Sequence, residues 1–319
     1  MDNCAQAHSA ESVEVVLRSE LASGDGVLAT VAPIMRHLLD GGGGTIFADV
    51  VIAGVRGMAV DLAMQLLDAR NSAGGASERV EHDPARLAEL GEALTTSTAL
   101  VSHLHALALE WRLMQHLQAR LSLDPVVPAL VQSEMASANP EAAALAMQFL
   151  AAQARFCQDQ RRMQLPLAEL PGDLLHGALI ALQTVSSADG DAAAQQAAAA
   201  IRKGYDESRS RLSLAARLVT GLTEGGLAAL SIGQAGATLF LTAISLGARQ
   251  DRDLAVLSTD GGQLARLALT LRACGLKQAP IEEQFLALHP DITLPDGFER
   301  ISPDQAAAML AATHSQMGT

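Results

Sequence analysis

The chain has 319 residues, 49% of them hydrophobic and 18% charged, which suits one large domain or two of ordinary size and excludes global disorder. A formal net charge of −13, with the basic residues dispersed, excludes a nucleic-acid phosphate backbone as the natural partner and disfavours an anionic membrane surface. Aromatic residues reach only 3%, too few for a strand-rich core, whereas the abundant Ala, Leu and Met favour helices.

The start, Met1 to Gln6, has no basic stretch leading into an apolar run, so no signal peptide is expected. Cys4, Cys157 and Cys274 are scattered and odd in number, which fits neither a disulfide framework nor a CxxC metal knuckle. A cytoplasmic setting follows as the expectation.

In chain order, Gly41–Gly44 precede Thr45-Ile46-Phe47. No Lys-Ser/Thr follows and no strand precedes, so the run reads as a helix connector rather than a phosphate loop. Val50-Val51-Ile52 is too short for a strand, and Gly54 and Gly57 suit close helix packing. Residues 71–82 read as an exposed loop. Asp83-Pro84, Asp124-Pro125, Asn139-Pro140 and Ser302-Pro303 each place a capping side chain before a proline, the signature of a helix start. Ser302-Pro303-Asp304-Gln305 also fits a capping box.

Between these marks the apolar periodicity is helical. Leu100, Leu104, Leu107, Trp111, Met114 and Leu117 form one stripe, and Leu145, Phe149, Ala152, Phe156 and Met163 another. A third, Leu264, Leu267, Ala268 and Leu271, stops at Gly275. Ala192 to Ala200 strongly favours helix. Residues 225–248 carry no charge and are long enough to span a bilayer, but five glycines and several hydroxyls point to a buried helix broken near Gly233 or Gly236. Residues 289–301 read as a second exposed loop, and residues 186–191 as a hinge. The breaks at Asp83, Asp124 and Pro166 lie roughly 40 residues apart, the spacing of HEAT or armadillo helix pairs.

Candidate chemistry is sparse. His103 and His105 diverge on a helix, and only His103 and Glu110 share a flank, so they are the weak metal candidates. Cys157 reads as a buried, inert thiol. Ser231 is not in a GxSxG setting. Asp260-Gly261-Gly262 reads as a cap. Arg155, Asp159 and Arg162, with Arg161 on another side, make a cationic patch near the end of a helix; the alternatives are an ion ladder with helix-end cations or a surface for an acidic partner.

The stretch Gln153 to Cys157 with Arg161 to Pro171, and the later Ile244-Ser245-Leu246-Gly247-Ala248-Arg249 followed by Asp260-Gly261-Gly262, resemble an alphaproteobacterial family of all-helical, HEAT-like proteins whose function is unassigned. The resemblance implies a helical fold and a bacterial cytoplasmic setting, and transfers no catalytic residue.

These readings converge on an all-α chain, an irregular stack of about ten to thirteen helices, HEAT/armadillo-like in the regular limit. Its N-terminal lobe would span residues 1–188 and its C-terminal lobe residues 189–319. The expected function is non-enzymatic: binding of another protein through a helical groove, with no cofactor and no metal. The alternative is a small-ligand site or enzyme with an apolar pocket inside the stack, where His103, Glu110, His176 or Arg155 would converge. A third reading associates residues 225–248 with a membrane. Small-residue helix faces also suit a homo-oligomer.

Overall fold

The computed structural model describes residues 2–40, 46–75, 83–186, 192–222 and 224–317. Among them are fourteen α-helices, five 3₁₀ turns and no strand, so the fold is all-α. The helices are α1 (Asp2–Asp40), α2 (Ile46–Ala73), α3 (Pro84–Thr95), α4 (Thr98–Leu121), α5 (Ala129–Met135), α6 (Pro140–Arg161) and α7 (Gly172–Ser186). There follow α8 (Ala192–Gly204), α9 (Arg211–Gly221), α10 (Ile232–Ala248), α11 (Arg252–Leu257), α12 (Leu264–Ala273), α13 (Gln278–Leu288) and α14 (Pro303–Met317). The glycine run at 41–44, the hinge residues 187–191 and most of the 71–82 loop lie outside the described residues; residues 71–73 complete α2.

The caps explain where the helices begin. Asp83 accepts the Ala85 N–H at 3.0 Å and Asn139 the Glu141 N–H at 3.0 Å, opening α3 and α6. Ser302 and Gln305 exchange bonds of 3.1 and 2.8 Å, the expected capping box of α14. Asp124 departs from the expectation. Its Oδ1 takes the N–H groups of Val126 and Val127 at 2.7 and 3.0 Å and closes a turn instead. Val127 precedes Pro128, which pushes it out of the α region, and α5 begins only after Pro128. Pro166 likewise opens a short 3₁₀ turn. Of the three breaks spaced like helix pairs, only Asp83 starts an α-helix.

By contacts the chain groups into two units assembled from separate segments. One comprises Met1–Val31, Arg112–Met147 and Ala215–Thr319; the other comprises Ala32–Trp111 and Gln148–Leu214. The boundary expected between residues 188 and 189 falls among the undescribed residues.

In the second unit, α2 packs against α3, α7 and α8. Val55, Met58, Leu62 and Leu66 of α2 are buried, and Leu100, Leu104 and Leu107 of α4 form the expected core stripe. The approach of α6's end to α2 is close. A Cβ on Gly57 would lie 2.5 Å from the Met163 side chain, which is why glycine stands there. Met163 itself does not continue the α6 stripe. The helix stops at Arg161, and Met163 is exposed with φ 55°. Its N–H and that of Gln164 bond back to Gln160 and Asp159 at 3.1 and 2.9 Å, a left-handed helix stop made without glycine. Beyond it, Asp61 accepts the Leu165 N–H at 3.0 Å, and Gln65 bonds both Leu165 and Leu167 at 2.8 and 3.0 Å. Two polar side chains of α2 thus satisfy the backbone that leaves α6.

In the first unit, α10 is the central element and contacts α5, α11, α12 and α13. The uncharged run expected to be one broken helix divides into a 3₁₀ turn, Glu224–Leu230, and α10. α10 itself kinks at Gly236, with φ 68° and ψ 173°. That conformation is open essentially only to glycine, and a Cβ there would lie 3.1 Å from Pro128. Twelve of α10's seventeen residues are buried. The one helix among the described residues long and apolar enough to cross a membrane is instead within α2, over Asp49–Ala73, where 56% of the most apolar window is buried. α12 ends as expected: Gly275 has φ 88°, and the bonds Gly275 to Arg272 and Leu276 to Leu271, at 2.9 and 3.3 Å, form a Schellman motif.

Replacing Gly236 by Ala is expected to destabilise the protein by about 1–3 kcal/mol through backbone strain, with further loss from the Pro128 contact. Urea unfolding measures this, and an unchanged midpoint would show that α10 has no kink there.

Candidate functional site

The residues singled out from the sequence do not gather into one site. Glu110 is fully buried and holds Arg211 through both carboxylate oxygens, at 2.7 and 3.0 Å. The guanidinium also reaches Gln153 at 3.4 Å and stacks 3.6 Å above the Phe156 ring. Its backbone N–H donates to Glu169 at 2.8 Å. This is a buried, multiply satisfied charge. His103 is also buried, but among the described residues no group of three or more metal-ligating side chains occurs. Cys157 is buried as expected, and burial pushes the Cys274 thiol up to about 12.

Arg155, Arg161 and Arg162 are all exposed, and Asp159 is half-buried. Burial raises the Asp159 carboxyl, the nearby Asp61 raises it further, and Arg162 and Arg155 pull it back down. His176 is exposed as well. The convergence of His103, Glu110, His176 and Arg155 required by an internal pocket is not what these positions offer: two are exposed and Glu110 is committed to Arg211.

A different site lies in the first unit, where α13 meets the segment after it. α13 has a core stripe of Ile281, Phe285 and Leu288, all buried. Gln284 on the same side accepts the Ile232 N–H at 2.8 Å and donates to Pro280 at 3.0 Å. Arg120 of α4 bonds the carbonyls of Leu286, at 2.7 Å, and Ala287, a cation placed on helix-end carbonyls. His289 ends the helix. Its Nε2 donates to the Thr259 carbonyl at 3.0 Å, and its ring lies 6.2 Å from that of Phe285.

With its back fixed in this way, α13 turns Ala279, Glu282, Glu283 and Leu286 outward at i, i+3, i+4 and i+7 spacing. Facing them is the irregular stretch from Ile292 to Leu294. Between the two runs a groove of about 490 Å³, with Phe285, Leu286, Ile292 and Leu294 as apolar walls and Glu282 and Glu283 at its edge. Leu286 is 65% exposed and Ile292 39%. The 289–301 loop is thus one wall of a groove. The signal for it was present: Leu286 falls off α13's core stripe, and Ile292 and Leu294 are apolar residues in a Pro-punctuated loop.

No family model, curated protein or solved structure matches the chain.

Two outcomes follow. Glu110→Ala leaves Arg211 buried without its carboxylate and is expected to cost about 3–5 kcal/mol. Replacing the pair together, Glu110→Leu with Arg211→Met, should recover most of that in urea unfolding. If the single and paired replacements were equally damaging, the pair would have a role beyond charge neutralisation. For His289, burial lowers the pKa more than the Thr259 bond and Asp260 raise it. The unfolded chain therefore binds the proton more readily, and stability is full above the unfolded value of about 6.5 and falls as pH drops below it toward the folded pKa. The histidine Cε1 proton shift in an NMR titration should report this lowered value; a midpoint at or above about 6.5 would contradict the packing described.

Proposed function

We propose that the chain is a non-enzymatic interaction protein that binds another protein in the groove between α13 and the Ile292–Leu294 segment. The observation that carries this reading is Leu286, 65% exposed on a helix whose back is held by Arg120, Gln284 and His289. A large apolar side chain presented to water on a fixed element suits an anchor for a partner. The groove is shallow enough to leave its walls exposed, whereas small-molecule sites bury most of their ligand. It carries carboxylates and a threonine but no nucleophile paired with a base. The net charge of −13 favours a protein partner over nucleic acid. A cytoplasmic setting belongs to the same reading and rests on the three scattered cysteines.

Selection of a displayed random peptide library on the immobilised protein is expected to enrich sequences whose binding is lost in Leu286→Asp. The substitution lies at an exposed position and should leave the circular dichroism spectrum unchanged. Enriched peptides that bind that variant equally well would place the docking site elsewhere.

A further inference from the structure

The groove's charge and its backbone narrow the class of ligand. From Gln278 to Gly297 the chain carries Glu282, Glu283, Asp291 and Asp296, and neither lysine nor arginine. All four carboxylate residues are exposed. Glu282 accepts a bond from Gln278 at 2.6 Å, and among the described residues neither Glu282 nor Glu283 has a cation within ion-pair distance. The Arg120 guanidinium is turned onto the carbonyls of Leu286 and Ala287. His289 is held toward its neutral form by burial. The charged side chains lining the groove are therefore all acidic, beside walls that are apolar, with Lys277 the flanking cation at the start of α13.

The wall formed by Ile292 to Leu294 adds a second constraint. It is neither helix nor strand, and the N–H groups of Thr293 and Leu294 make no hydrogen bond to the backbone of the described chain. A surface stretch outside helix with unspent main-chain donors can bond an extended chain laid beside it.

Resting on the groove reading above, we infer that the ligand is a short extended peptide segment carrying one large aliphatic side chain flanked by lysine or arginine. The aliphatic group would pack on Leu286, Ile292 and Leu294, and the flanking cations would meet Glu282 and Glu283. A desolvated apolar anchor supplies affinity, and rim charges supply selectivity and rate. An acidic segment of the same shape would meet uncompensated like charge.

The test uses fluorescence anisotropy with two labelled peptides of about nine residues, each with a central leucine, one flanked by lysines and the other by glutamates. At about 20 mM salt the lysine peptide is expected to bind at least about tenfold more tightly than the glutamate peptide, and the preference should shrink to about threefold or less in 0.5 M salt. In the Glu282→Gln/Glu283→Gln double variant the preference should collapse, because the weaker peptide gains while the stronger one loses. In Leu286→Asp the lysine peptide should lose its affinity. Equal binding of both peptides by the wild type would overturn the charge selectivity while leaving the groove as a docking site. Lysine-peptide binding unaffected by Leu286→Asp would overturn the groove itself. Failure of the wild type to bind either peptide would overturn the ligand class, with the library selection then judging the groove independently.

Discussion

The constraint on which the rest of this structure depends is that each unit encloses a fully buried arginine. In a chain with six phenylalanines, one tyrosine and one tryptophan, Arg211 and Arg266 are among the largest side chains withdrawn entirely from water. Their alkyl stems and planar heads occupy volume that aromatic rings usually fill. A guanidinium cannot shed its proton readily, so each needs a carboxylate at hand. Arg211 has Glu110, and Arg266 has Asp25. Burial still weighs on the second of these, lowering the Arg266 pKa to about 10. The pairs fix which helices can neighbour which: Glu110 dictates where the start of α9 sits, and Asp25 where α12 sits.

Much of the fold was legible because its signals are local. The caps at Asp83, Asn139 and Ser302 involve partners two or three residues away, and the Gly275 stop needs only the preceding turn. The misreading of Asp124 was also local. The same Asx chemistry that caps a helix can close a turn, and the proline four residues later decided between them. The partners of the buried charges were beyond reach, since Glu110 and Arg211 stand 101 residues apart. No periodicity relates positions that meet only after several helices have packed. The helix stops at Met163 and Arg249 were hidden for another reason: both residues adopt φ near 55° without being glycine, and nothing in their identity announces it.

The groove went unread in the sequence, although Ile281, Phe285 and Leu288 have the helical spacing of a core stripe that leaves Leu286 outside it. What could not be read is that Arg120, 166 residues earlier, spends its charge on that helix's final carbonyls. That placement matters for the groove's character. A cation bonded to backbone oxygens fixes the helix end, while the residues lining the groove itself include Glu282 and Glu283 and no cation.

The Asp25–Arg266 pair also has a consequence for biogenesis. Its members lie 241 residues apart, and the neighbouring bond from Gln263 to the Gly24 carbonyl spans 239. At translation rates of about 5–20 residues per second, the α1 segment bearing Asp25 leaves the ribosome roughly ten to fifty seconds before its guanidinium partner exists. Val13, Leu17 and Leu21 of α1, buried in the finished fold, are made before that partner. The bonds that tie α1 to α12 and to the turn before it therefore form only after the 239 and 241 residues between their partners have been made.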